Sequence, residues 1–175
     1  INAGVEGSAF TLRLTDDVTV SGSVTITGGT VTLLGGGSTL TCDHILLKGS
    51  AVLNLGLPDG SDTLTLTSPN TTLSALELQG QSVLNMYSGV TIGPSSAGGQ
   101  AGGVVCSWLS SFNMFGGTIK DCHSIYAVSG AVYLQENSTF TMHNGLIENC
   151  TGWQGGAVGV SGAAPVVNPV STEYI

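Results

Sequence analysis

The sequence predicts an all-β chain wound into a parallel solenoid, with three short strands per coil, three sheets around one apolar lumen, and about five to six coils of about 28 residues. An internal repeat, a period-two apolar pattern and a dense set of turn residues together predict it. Residues 110–122 read S-S-F-N-M-F-G-G-T-I-K-D-C and residues 138–150 read S-T-F-T-M-H-N-G-L-I-E-N-C. Phe112, Met114, Gly117, Ile119 and Cys122 thus recur 28 positions later as Phe140, Met142, Gly145, Ile147 and Cys150. Apolar residues alternate in short runs such as Val132-Tyr133-Leu134, Leu84-Asn85-Met86 and Thr63-Leu64-Thr65-Leu66-Thr67, which is the strand period. Gly, Asn and Ser punctuate these runs, and no window carries a helical stripe.

From the N-terminus, residues 1–17 are expected to cap the first coil, because a solenoid must shield its unpaired strand edge. The coils occupy 18–160, and the earliest copy is G-S-V-T-I at 22–26. K-G-S-A-V-L-N-L at 48–55 aligns with Q-G-Q-S-V-L-N-M at 79–86, which places Ile45 and Leu47 on Leu76 and Leu78. Residues 79–86 align in turn with 107–114, and G-G-V-V-C at 102–106 with G-A-V-Y-L at 130–134 and G-G-A-V-G-V at 155–160. The longest irregular stretches, 56–62 and 93–101, read as loops. The tail 161–175 contains Pro165 and Pro169, which cannot donate to a strand ladder, and reads as a cap or as the edge of a longer repeat region. One coil buries too few side chains to offset the entropy of ordering it, so the coils must stack.

Composition limits function. The 175 residues fit one domain, and only 8% are charged against roughly 25% in ordinary globular domains. Three cations against eleven acids, a net charge of −8, exclude most nucleic-acid binding and docking on anionic membranes. With 41% hydrophobic residues the chain is expected to fold, and no apolar run reaches the length of a membrane span. No basic-then-apolar leader opens the chain at Ile1, as expected of a mature or a non-secreted protein.

Alternation sets facing. Val104/Cys106, Val132/Leu134 and Val158/Val160 are expected inside on one sheet. Leu53/Leu55, Leu84/Met86, Phe112/Met114 and Phe140/Met142 line a second, and Ile119 and Ile147 a third. Between the second set, pointing out, stand Asn54, Asn85, Asn113 and Thr141, with Thr25 a candidate fifth. They form an uncharged polar ladder, either a docking strip or a solvated face whose amides bond one another. Trp108 and Trp153 either stack on a ligand or fold over their own loops. Lys120 and Glu148 are expected as a cross-strand ion pair. Cys122 and Cys150 occupy equivalent places in adjacent coils, as a thiol ladder or a bridge, while Cys42 and Cys106 are expected unbonded. His44, His123 and His143 lie on separate coils without a matching carboxylate cluster, so neither a metal nor another cofactor is expected.

The pattern G-G-A-V-x-V followed by F-x-M-x-x-G-x-I-x-N-C, strong over 102–160 and moderate over 45–92, resembles repeats of right-handed parallel β-helix proteins. These are the pectate-lyase-like solenoids of bacterial and archaeal surface adhesin-like proteins. The resemblance implies a right-handed β-helix and extracellular, cell-surface or secreted display in adhesin or stalk roles, and the low charge, repeat-only content and short corners point to a module without catalytic residues. The implied partners are a surface glycan or a host or neighbour-cell protein, and self-association through coil ends is open. A minority of such proteins cleave polysaccharides. A lyase needs clustered cations, whereas Arg13, Lys48 and Lys120 are far apart in the repeat. A hydrolase needs paired carboxylates, for which Asp16/Asp17, Asp59/Asp62 and Asp43 are the candidates. A third class is ice binding, which would need the Thr-x-Thr runs at 25–27, 30–32, 39–41, 63–67 and 139–141 at one place in successive coils; they look scattered.

Overall fold

A computed structural model describes residues 7–126 and 128–169. It is an all-β parallel solenoid whose coils each visit three sheets in the order A, C, B. Sheet A is a seven-stranded stack of Ala9–Arg13, Thr30–Leu34, Val52–Leu55, Val83–Met86, Ser111–Met114, Thr139–Met142 and Val166–Pro169. Sheets B and C fuse at the N-terminal end, because Val18–Thr27 and Thr39–Lys48 each run through both without a loop. Beyond them, sheet B continues with Leu76–Leu78, Val104–Cys106, Val132–Gln135 and Val158–Ser161. Sheet C continues with Leu64–Ser68, Val90–Ala97, Thr118–Lys120, Cys122–Ser124 and Leu146–Glu148.

The aligned repeats are axial neighbours. Phe112 pairs with Leu84 on one side and Phe140 on the other, and the two phenyl rings stack with centroids 4.9 Å apart. Leu53, Leu55, Leu84, Met86, Phe112, Met114, Ile119, Val104, Cys106, Val132 and Leu134 are all buried in one continuous lumen. Coil length differs along the axis. Ala9 pairs with Thr30 and Thr30 with Val52, whereas Val52 pairs with Val83, Val83 with Ser111 and Ser111 with Thr139. Most of the added length sits at the C-to-B corner, where coils from the third onward insert residues 69–75, 98–103, 125–131 and 151–157.

That short first period corrects the register assumed at the N-terminus. Thr25 lies in sheet B opposite Leu46, not on the Asn ladder. Residues 93–97, expected as loop, belong to the strand Val90–Ala97 because Ser95 and Ser96 pair with Cys122 and His123. Val160, expected inside, is 51% exposed on the terminal rung of sheet B, where no described residue stacks over it. Of the segment 1–17, residues 1–6 lie outside the described residues and Ala9–Arg13 is the first rung of sheet A. Of the tail 161–175, residues 170–175 also lie outside, and Val166–Pro169 is the seventh rung.

Corners follow local chemistry. At the A-to-C corner Gly89, Gly117 and Gly145 recur with φ of 84°, 87° and 115°. A Cβ on Gly117 would strike the Val90 carbonyl and the Met86 methyl, so glycine is required by both conformation and space. At the B-to-A corner Ser82, Ser110 and Ser138 are fully buried. The Ser138 hydroxyl donates to the Cys106 carbonyl, but the Ser82 hydroxyl has no partner. Ala51 holds the equivalent place one coil earlier, as the Ala51 and Ser82 carbonyls both receive the next rung. Ser82→Ala should therefore raise the free energy of unfolding by on the order of 1 kcal/mol, read as a higher urea midpoint at unchanged slope. A lower midpoint would contradict the assignment of an unsatisfied hydroxyl.

Candidate functional site: the outer wall of sheet A

Strand alternation puts every second residue of sheet A outside, and register stacks these residues into two columns. One column runs Thr11, Thr32, Asn54, Asn85, Asn113, Thr141 and Asn168. The other runs Ala9, Thr30, Val52, Val83, Ser111, Thr139 and Val166. All fourteen side chains are uncharged. Asn54, Asn85, Asn113 and Thr141 are thus brought together as the alternation required, and Thr11, Thr32 and Asn168 extend the ladder beyond them. The extension was hidden because the first coils are short and the last strand departs from the repeat in composition.

The amides are bonded along the axis in one direction. Asn113 Nδ2 donates to Asn85 Oδ1 at 3.0 Å, Asn85 Nδ2 to Asn54 Oδ1 at 2.9 Å, and Asn54 Nδ2 to Thr32 Oγ1 at 3.2 Å. Asn54 and Asn85 each spend one donor and one acceptor on their neighbours and Asn113 one donor, and each keeps a further N–H and lone pair unspent on the ladder.

Two residues beyond the ladder, at the A-to-C corner, Tyr87, Phe115 and His143 form a ring column. Tyr87 and Phe115 stack with centroids 5.3 Å apart, Phe115 and His143 at 4.6 Å, with planes within 13°. Phe115 is 39% exposed, so ring edges reach solvent beside the amides. The exchange of Phe115 for His143 was visible in the repeat, but Tyr87 one coil earlier was not connected to it. Trp108 stands at the opposite, B-to-A, edge of sheet A, 57% exposed, because φ of 50° and 67° at Trp108 and Leu109 turns the loop outward. Trp153 lies at the C-to-B corner, away from the ladder, and is 78% exposed.

The remaining groups are committed locally. Asp62 is buried and accepts the Gly35 and Gly36 N–H groups at 2.8 and 3.0 Å, with Arg13 4.0 Å away. Asp43 accepts from Gly22 N–H, Asp17 from Thr39 N–H, and Asp16 from Asp17 N–H. Asp59 accepts from both Ser61 groups, which hold its carboxyl below the usual range. His44 is buried against the Ser74 carbonyl, with Glu77 at 3.6 Å, while His123 meets Thr151. Lys120 and Glu148 are register partners but form no ion pair; the Lys/Arg–carboxylate pair among the described residues is Arg13–Asp62, and an exposed Glu148 gains too little in water to hold Lys120. Among the described residues no group of three His, Cys, Asp or Glu could hold a metal, and no helix is long and apolar enough to cross a membrane.

All four cysteines are free thiols. Burial pushes the Cys106 and Cys42 thiols up. Cys122 is raised, mainly by the neighbouring Cys150 thiol and by burial, and Cys150 is lowered from 9.0 to about 7 by the neighbouring Cys122, against burial and the nearby Asp121 and Glu148. No family model, curated protein or solved structure matches this chain.

The thiol environments make a direct prediction. In the native protein iodoacetamide should alkylate Cys150 first, with a rate that falls as pH drops below about 7 and levels off above it. Cys106 and Cys122 should stay unmodified. A half-maximal rate near pH 9 would contradict the lowering of Cys150 by its Cys122 neighbour.

Proposed function

We propose that the chain is a non-catalytic solenoid module, adhesin- or stalk-like and displayed outside the cell, that presents the outer wall of sheet A to an extended neutral glycan. The observation that carries this is the seven-rung uncharged wall, its amide ladder flanked by the exposed edges of Tyr87, Phe115 and His143. Amides with one free donor and one free acceptor per rung match the paired character of sugar hydroxyls. Aromatic edges add apolar contact without charge. The net charge of −8 disfavours polyanions, so the fitting partner is neutral. Carboxylates spent on turn N–H groups support a binding role over hydrolysis.

The test is retention on immobilised cellulose, chitin, xylan, mannan and β-glucan. At least one should retain the protein, and the double variant Asn85→Lys/Asn113→Lys should lose roughly tenfold or more in affinity, with Phe115→Ala weakened less. Retention that ignores these variants would remove the wall from the account. New reducing ends or unsaturated uronates would replace it with an enzyme, and retention only on a protein ligand would replace the glycan.

One observation favours a second use. The Thr-x-Thr runs are less scattered than they look: Thr39, Thr65, Thr91 and Thr118 share one column of sheet C, beside Thr19, Thr41 and Thr67. Such a hydroxyl–methyl array suits ordered water. If it binds ice, freezing in its presence shows thermal hysteresis that Thr65→Lys abolishes; no hysteresis in the native protein ends that possibility.

A further inference from the structure

Cys122 and Cys150 lie at the same place on consecutive coils. Their strands pair with Lys120 opposite Glu148 before them and His123 opposite Thr151 after them. The backbone is closed between them as well, since Thr151 N–H donates to the Cys122 carbonyl at 3.0 Å. Rung spacing of about 4.8 Å puts the two Cα atoms inside the range a disulfide spans. In-register parallel strands would ordinarily hold the Cβ atoms too far apart. Each cysteine, however, follows a residue in the left-handed region, Asp121 at φ 53° and Asn149 at φ 51°, which takes both off the regular strand geometry that keeps in-register Cβ atoms apart. The environments are unequal. Cys122 is fully buried, its sulfur in reach of the Lys120 and Ile92 carbonyls, whereas Cys150 is half-buried, with its sulfur 3.1 Å from the Glu148 carbonyl. Cys150 is thus the more accessible thiol of the pair and Cys122 the more buried.

We propose that Cys150 and Cys122 form a dithiol site for reversible oxidation by low-molecular-weight disulfides, Cys150 attacking first and Cys122 resolving. The Cys150 thiolate attacks one sulfur of the disulfide RSSR, forms Cys150–S–SR and expels RS⁻. Cys122 then gives up its proton, its sulfur attacks Cys150 Sγ, and the second RS⁻ leaves. Two protein thiols and RSSR become one protein disulfide and two RSH. The bridge ties the sheet C strand Leu146–Glu148 to Thr118–Lys120 across the last turn. Leu146, at 48% exposed, marks that rung as the less covered one. A thiol-reducing milieu would release the tie and an oxidising one would set it.

Oxidised glutathione, added to the native full chain, is the probe. The expected product has lost the mass of two hydrogens and yields a peptide linking 122 to 150. Cys122→Ser should stop at a glutathione adduct on Cys150, and Cys150→Ser should give no bridge and no rapid adduct. The bridge should make the C-terminal coils several-fold slower to proteolyse, reversed by dithiothreitol. A stable glutathione adduct on the wild-type chain, a bridge involving Cys42 or Cys106, or no reaction at all would overturn the proposal.

Discussion

The whole molecule depends on one constraint: each coil must lay its inward side chains on those of the coil before, in register, around a dry lumen. The column Val31, Leu53, Leu84, Phe112, Phe140 shows it, running through five rungs of sheet A with every member buried. No coil has a core of its own, so burial and backbone pairing are supplied only by neighbours. The two phenylalanines form a stacked pair because their shared register leaves the rings about one strand spacing apart, with centroids 4.9 Å apart and planes 27° from parallel.

The same register governs the outside. A side chain that repeats inside repeats outside too, so any polar residue at an odd place becomes a column. Asn can chain such a column, since it carries a donor and an acceptor at one end. Thr can end one, as Thr32 does below Asn54. Corners obey the rule as well: Tyr87, Phe115 and His143 stack because they occupy one corner position in three coils. Cys122 and Cys150 fall at one place on consecutive coils for the same reason. Function on such a scaffold resides in columns, where one residue type is multiplied along the axis.

Much of this was legible in the sequence between residues 45 and 150, where coil length is nearly constant and Phe-x-Met or Leu-x-Met marks the lumen. Asn54, Asn85, Asn113 and Thr141 could be placed in one column from spacing alone. The N-terminal coils resisted because they lack the C-to-B loop. Without it, Val18–Thr27 and Thr39–Lys48 pass through two sheets, and Thr25 moves from the expected ladder to another face. Gly93–Ala97 read as loop by composition, and pairing with Cys122–Ser124 overrode that local preference. The outward turn of Trp108 and the approach to Cys122 and Cys150 depend on left-handed residues at corners, which single residue types do not announce.

Distances along sheet A test the stacking most directly. Spin labels carried by unnatural amino acids, one fixed at Thr32 and the other moved from Asn113 to Thr141 to Asn168, sit three, four and five rungs apart. The separation measured by pulsed electron resonance should lengthen by about 4.8 Å at each step, despite sequence intervals of 28 and 27 residues. Steps that are unequal, or far longer than one strand spacing, would contradict the solenoid and with it the ladder, the ring column and the thiol pair.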